Sequence, residues 1–179
     1  MSEFWESVFS NNDIMWGESP TDNASNVLDF LQRKKIKNVL IPGFGYGRNA
    51  KVFYENGFKV SGIEISKTAI KRARKYFKSD VKIHHGSVAD MPFNKDKFEA
   101  IYCYSLIHLL GKVERKKLIK DCFSQLSING IMIFVALSAT DKRFGIGEKV
   151  GQNTFHSPQG LNLYFYDEKS VNEEFEDYN

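Results

Sequence analysis

Residues 38–50 read NVLIPGFGYGRNA, an apolar run that breaks into glycines at alternate positions, Gly43, Gly45 and Gly47, before a helix-forming segment resumes. No other feature constrains the fold as much. A buried strand, a turn stripped of side chains and a helix in succession open a βαβ unit. In a doubly wound sheet that crossover is where backbone meets a nucleotide-like ligand. Three bare residues in five point to close approach of a ligand, although glycine also serves a tight strand-to-helix turn without one.

The remaining periodicity extends the pattern. Residues 26–35 set Val27, Leu28, Phe30 and Leu31 on one helical side, ahead of a first strand at 38–41. A helix over 48–56 is closed by Gly57, and 59–65 is the second strand. Ser66 caps a helix that buries Ala69, Ile70, Ala73 and Phe77, while its basic residues, among them Lys67, Arg72 and Lys75, form a solvated flank. Further strands are predicted at 81–85, 98–104 and 131–137, with a helix over 114–126 and an Asn129-Gly130 turn before the fifth strand. Residues 138–161 are glycine-rich and polar, which predicts a long active-site or mobile loop, followed by a short apolar piece at 163–166 and a last helix from Asp167. The expected class is α/β, with a doubly wound, mainly parallel, Rossmann-like sheet.

At 179 residues and 42% hydrophobic content the chain can bury one substantial core. A net charge of +3, from 25 basic and 22 acidic residues, announces neither nucleic acid nor an anionic membrane, so a small molecule is the favoured partner. Cys103 and Cys122 sit in apolar surroundings with no CxxC or Cys/His cluster, so neither a disulfide framework nor a zinc site is expected. The N-terminal MSEFWESVFS has no basic leader, and no segment approaches the ~20 apolar residues of a spanning helix, which makes the cytoplasm the expected location.

A dinucleotide fingerprint, GxGxxG, would place a glycine where Arg48 stands; the spacing here is GxGxG. With that spacing the chain resembles the class I S-adenosylmethionine-dependent methyltransferases. GYGRNA is similar to the GxGRN segment of the small-molecule branch that includes methyltransferase type 11 and tellurite-resistance-like proteins. The resemblance runs from about residue 39 to residue 137. It implies that Glu64, ending the second strand in VSGIEIS with Ile65 beside it, holds both ribose hydroxyls; a solvent-exposed strand-end glutamate is the plainer use. HGSVADMPF, residues 85–93, is similar to the family's adenine-packing GDAxxLPF, with Ser87 where most members carry Asp. The exocyclic amine would then fall to Ser87 or Asp90 and a ring nitrogen to the Val88 backbone, with Asp90 equally suited to capping a turn.

One further departure follows from the same resemblance. Ile41 stands where the family usually has an acid near the methionine amino group, and Arg48 is implied to pair with the methionine carboxylate, or else to make a surface salt bridge. FEAIYCYSLIHLL, residues 98–110, matches the region where acceptor meets methyl group, which singles out Tyr104 and His108. His108 is open to two uses, a general base or a packing residue with one satisfied hydrogen bond. Trp16, in MWGESP, is either a lid over the sulfonium, with ~1 kcal/mol of cation–π attraction, or a docking point for the N-terminal arm. Phe4, Trp5, Val8 and Phe9 form an apolar stripe expected to pack in the core.

The implied organisation is an N-terminal helical arm and cofactor lid over 1–36 and an S-adenosylmethionine-binding domain over 37–179. The family's sheet ends with two more strands than this chain has room for. Either the chain is shortened relative to its natural length, or the sheet edge is left open for a second copy, giving a homodimer. The implied activity is transfer of a methyl group to a small-molecule acceptor, with no metal and no assigned catalytic residue. Alignment of the reacting atoms alone can supply ~7 to 11 kcal/mol. A binding module without turnover and a nicotinamide-dependent reductase are the alternatives.

Overall fold

A computed structural model describes residues 2–11, 14–91 and 95–178. Two helices come first, α1 (Ser2–Asn11) and α2 (Asp22–Arg33). Helix α2 begins at Asp22 rather than at residue 26, because the Thr21 hydroxyl accepts from the Ala24 N–H at 3.3 Å and caps it. The βα alternation then runs β1 (Asn38–Pro42), α3 (Ala50–Glu55), β2 (Lys59–Glu64), α4 (Lys67–Phe77), β3 (Lys82–His85), β4 (Phe98–Tyr104), α5 (Lys112–Ser124) and β5 (Leu126–Val135).

The five strands pair in the order β3-β2-β1-β4-β5, all parallel. Strand order reverses between β1 and β4, so the carboxyl ends of these two strands flank the crevice where doubly wound sheets bind ligands. Successive residues of a strand face opposite sides, and the burial follows that rule. Val39 and Ile41 pack with Val27, Leu31, Phe53 and Phe77 from α2, α3 and α4. Leu40, Ile101 and Cys103 pack with Leu118, Ile119 and Cys122 from α5. Burial pushes the Cys103 thiol up to about 12, in keeping with a small core hydrophobe.

Two expectations are corrected. Asn129-Gly130 is not a turn ahead of the fifth strand but a bulge inside it. The register passes from Phe98↔Leu126 to Ala100↔Ile131, and Asn129 takes a left-handed φ of 62°. Residues 138–161 are not an irregular loop either. They carry β6 (Glu148–Gly151) and β7 (Thr154–His156), which join β8 (Asn162–Tyr164) in a separate antiparallel sheet. A small cluster holds this sheet: Phe155 and Phe165 are buried with Leu137, and Phe144 meets their rings edge-on at 5.1 and 5.4 Å. So few buried positions, spread over short strands, leave a composition that reads as loop.

The last helix, α6 (Glu168–Phe175), starts at an Asp167 cap and is tied back to α5 by an ion pair. Arg115 and Glu174 are both buried, with Nη2–Oε1 at 2.7 Å. The guanidinium also donates to the Leu110 carbonyl at 3.1 Å and lies 3.6 Å from the Tyr164 ring centroid. Tyr166 donates its hydroxyl to Glu174 Oε2 at 2.8 Å. Strand β5 pairs with β4 alone among the described residues, so its outer edge is open.

A pair this enclosed is costly to break from one side. Glu174→Ala should lose about 3 to 5 kcal/mol of unfolding free energy in urea titration, because it strands the Arg115 charge. Arg115→Met combined with Glu174→Leu should recover most of that loss; a single substitution within about 0.5 kcal/mol of the parent would contradict the assignment.

Candidate cofactor site

The turn after β1 is organised by one carboxylate. Glu64 is 5% exposed, so the exposed strand-end use is excluded. Its Oε2 accepts the Gly45 N–H at 2.7 Å and its Oε1 accepts the Ser66 N–H at 2.8 Å. Burial pushes its pKa up, and the N–H donors of Ser66 and Gly45 oppose that rise. The Ile65 N–H adds to these donors, and a carboxylate with about four acceptor positions still keeps capacity for more. Two adjacent hydroxyls, such as those of a ribose, fit that remainder.

The three glycines are bare for different reasons. All take left-handed φ values, 71° at Gly43, 57° at Gly45 and 85° at Gly47. A Cβ on Gly47 would stand 2.3 Å from Phe77 Cε2, and one on Gly43 would stand 3.1 Å from Leu106 Cδ2. These two therefore make room for the chain's own side chains, which corrects the expectation that a ligand explains all three. Only Gly45 has a clear Cα: a Cβ there would find its nearest neighbour, the Phe9 ring, 3.8 Å away. Phe44 pins the turn to β2, its N–H donating to the Ile63 carbonyl at 2.9 Å.

Arg48 and Asn49 lie just before α3 rather than within it. The Arg48 guanidinium donates to the Trp16 carbonyl. Asn49 Oδ1 accepts from the Thr21 N–H and hydroxyl at 3.0 and 3.2 Å, which locks the start of α2 to the glycine turn. Ile41 is a core residue of β1. Trp16 is 46% exposed and stacks on Tyr46, with centroids 6.4 Å apart and planes inclined by 16°. The stripe on α1 is not core in the expected sense. Only Phe9 of it is buried, and it packs with Trp5, Trp16 and Tyr46 over the glycine turn.

On the side expected to meet adenine, Ile65 is half-buried just past β2, its carbonyl 3.1 Å from His85 Nε2. The cap left open to Asp90 is supplied by Ser87, whose hydroxyl accepts from the Ala89 N–H at 3.1 Å at the head of a 3-10 turn, Val88–Asp90. Val88 buries its side chain in the core, leaving its backbone for any ligand. Pro92 and Phe93 lie outside the described residues.

At the end of β4, Tyr104 is half-buried, and His108 follows in a 3-10 turn, Ile107–Leu109. His108 is 6% exposed and its Nδ1 is buried without a hydrogen-bond partner among the described residues. Its surroundings include Arg143 and Asp141, which sequence reasoning missed because they stand in a polar stretch with no motif. They pair with each other through Nε–Oδ1 and Nη2–Oδ2 contacts of 2.8 Å. Desolvation, helped by Arg143, pushes the His108 pKa down to about 4, so the ring is neutral at neutral pH.

Two clefts lie elsewhere. One of about 850 Å³ runs along the open side of β5 between α5 and α6, and one of about 650 Å³ lies beside Arg115 and Glu174. Neither includes the glycine turn. Among the described residues no group of three or more His, Cys, Asp or Glu is placed to hold a metal ion, and no helix is long and apolar enough to cross a membrane.

Residues 39–130 match a family model described as a methyltransferase domain, which covers just over half of the chain. The chain belongs to that methyltransferase family. It is of the class I type and its cofactor is S-adenosylmethionine. Among solved structures, the methyltransferase CcbJ of Streptomyces caelestis is similar with a TM-score of 0.77 at 16% identity, over 97% of this chain and 85% of that one. The 1,6-didemethyltoxoflavin-N1-methyltransferase of Burkholderia thailandensis, solved with 1,6-didemethyltoxoflavin and S-adenosylhomocysteine, has a TM-score of 0.73 at 16% identity, over 98% of this chain and 74% of that one. At such identities the likeness speaks for the fold. An uncharacterised protein of Rickettsia prowazekii (strain Madrid E), RP789, is 34% identical over 84 residues, which is 45% of this chain and 15% of that protein. This methyltransferase thus spans a small part of that relative's length.

The His108 environment yields a signed pH dependence. Between pH 6.5 and about 4 the unfolded chain takes up a proton that the folded ring refuses. Its contribution is complete above pH 6.5 and is lost as pH falls through that window, by roughly 3 kcal/mol at most. Urea midpoints for wild type and His108→Gln should converge as the buffer is acidified across the window. A constant offset between the two proteins would contradict the buried neutral ring.

Proposed function

We propose that this methyltransferase transfers the methyl group of S-adenosylmethionine to a small-molecule acceptor. The observation that carries the reading is Glu64, buried at the end of β2 as a carboxylate whose backbone donors leave it acceptor capacity to spare. In this reading Glu64 takes the ribose hydroxyls, Gly45 offers bare backbone, Ile65 and the Ser87-Val88 turn flank adenine, and Arg48 meets the methionine carboxylate. Gly43 and Gly47 shape the turn that presents these groups. When bound, the cofactor supplies a methyl carbon on a sulfonium leaving group.

The acceptor side is assigned to Tyr104, His108 and Trp16. The unpartnered Nδ1 of a neutral His108 supports a role as hydrogen-bond acceptor for the nucleophile's proton, with Arg143 near both His108 and Tyr104. Residues 1–36 serve as arm and lid, supported by the packing of Phe9 and Trp16 over the turn. A small acceptor suits a net charge of +3, and the cytoplasm suits two buried free cysteines. The assembly proposed is a dimer through antiparallel pairing of β5 with a second copy. Leu126–Val135 carries no charged residue to oppose its own image.

Titration calorimetry with S-adenosylhomocysteine should show binding by wild type and a loss of at least about 100-fold for Glu64→Ala. Release of S-adenosylhomocysteine in the presence of low-molecular-weight acceptors completes the test. Binding with no turnover on any of them, alongside methylation of protein or RNA, would replace the small-molecule reading. Sedimentation velocity should give a dimer that Ile133→Lys, inside β5, returns to monomer; a monomer for wild type refutes the pairing.

A further inference from the structure

Helix α1 meets the body of the protein through residues three and four apart, Glu6 with Phe9 and Ser10, which share one helical face. Phe9 is 5% exposed, and its ring is the one side chain near the clear Cα of Gly45. It meets Trp16 and Tyr46 edge-on at 5.9 and 6.2 Å. The turn holds that cluster from below, the Tyr46 hydroxyl accepting from the Trp16 N–H at 3.3 Å and donating to the Gly17 carbonyl at 2.8 Å.

One turn earlier in the helix, Glu6 reaches the start of α4. Its Oε2 accepts from the Ser66 hydroxyl at 2.7 Å and from the Thr68 N–H at 3.3 Å, and its Oε1 accepts from the Thr68 hydroxyl. Ser66 in turn caps α4 and donates its own N–H to Glu64. The polar anchor of α1 and the proposed ribose-binding carboxylate are therefore joined through a single residue. The hydrogen bonds hold the Glu6 carboxyl down to about 2, so it is ionised throughout the physiological range.

We propose that Glu6 is a positioning residue for the cofactor: it latches α1 to the start of α4, keeps Phe9 over Gly45, and makes ligand entry and exit depend on release of that latch. The proposal rests on the cradle being the cofactor site. Aromatic packing supplies the adhesion of the clasp, whereas the carboxylate supplies its register.

The test compares wild type with Glu6→Gln and, from the other side of the contact, Thr68→Val; Ser7→Ala, on the exposed flank of α1, is the control. Stopped-flow measurement with S-adenosylhomocysteine should show association and dissociation both faster by about 5- to 20-fold in the two latch variants, with Kd changed by less than about 3-fold. The free protein gives an independent readout. Both tryptophans of the chain, Trp5 and Trp16, lie in the clasp, so acrylamide quenching of their fluorescence should rise about 2-fold when the latch is cut. Unchanged quenching in the latch variants overturns the latch whatever the ligand does. Raised quenching with unchanged exchange rates overturns the gating role. Raised quenching in a protein that binds no S-adenosylhomocysteine overturns the cofactor reading and the gating built on it.

Discussion

The pairing of the Glu64 carboxylate with the amides of Gly45 and Ser66 is the interaction on which the rest of the site depends. It joins the turn after β1 to the junction of β2 and α4, two segments that sequence separates and parallel pairing brings together. A carboxylate is taken out of water only when donors replace its hydration. Here backbone N–H groups of Gly45, Ser66 and Ile65 supply them and leave acceptor capacity to spare. The same atoms thus complete the fold and, in the proposed reading, receive the ribose hydroxyls.

Around that centre the chain divides its work by element. The crossover between β1 and β4 opens the crevice, Phe9 of α1 packs with Trp16 and Tyr46 over the glycine turn, and Tyr104 ends β4 with His108 in the turn that follows. The small antiparallel sheet and α6 form a second body of structure beyond β5, tied to α5 through Arg115 and Glu174. A methyltransferase needs little more from its protein than this. The sulfonium is already a good leaving group, and the protein's task is to hold, orient and keep water out.

Much of this was legible in the residues, and the parts that were not share a cause. The five parallel strands and their order of appearance follow from apolar runs alternating with amphipathic helices, because burial on both strand faces and on one helix face is written locally. The spacing GxGxG followed by Arg48, with Glu64 at the end of the next strand, marked the turn after β1 for the same reason, and the carboxylate does reach that turn. What escaped was set by partners distant in sequence. Gly43 and Gly47 look like ligand-facing residues until Leu106 and Phe77 fold onto them. Asn49 reads as a helix starter, and its use appears only when Thr21 docks. Glu6 is one acid among several in an amphipathic helix until Ser66 and Thr68 arrive. The antiparallel sheet after β5 was hidden by its few buried positions, and Asn129-Gly130 by serving a bulge where the pair usually makes a turn.

The most direct test of the account is a crystal structure of this protein grown with S-adenosylhomocysteine. The account predicts the ribose hydroxyls on the two Glu64 oxygens, the Gly45 and Ser66 amides still donating to them, and ligand lying across Gly45. Ligand density anywhere else, or a Glu64 side chain turned away from the sugar, would contradict it.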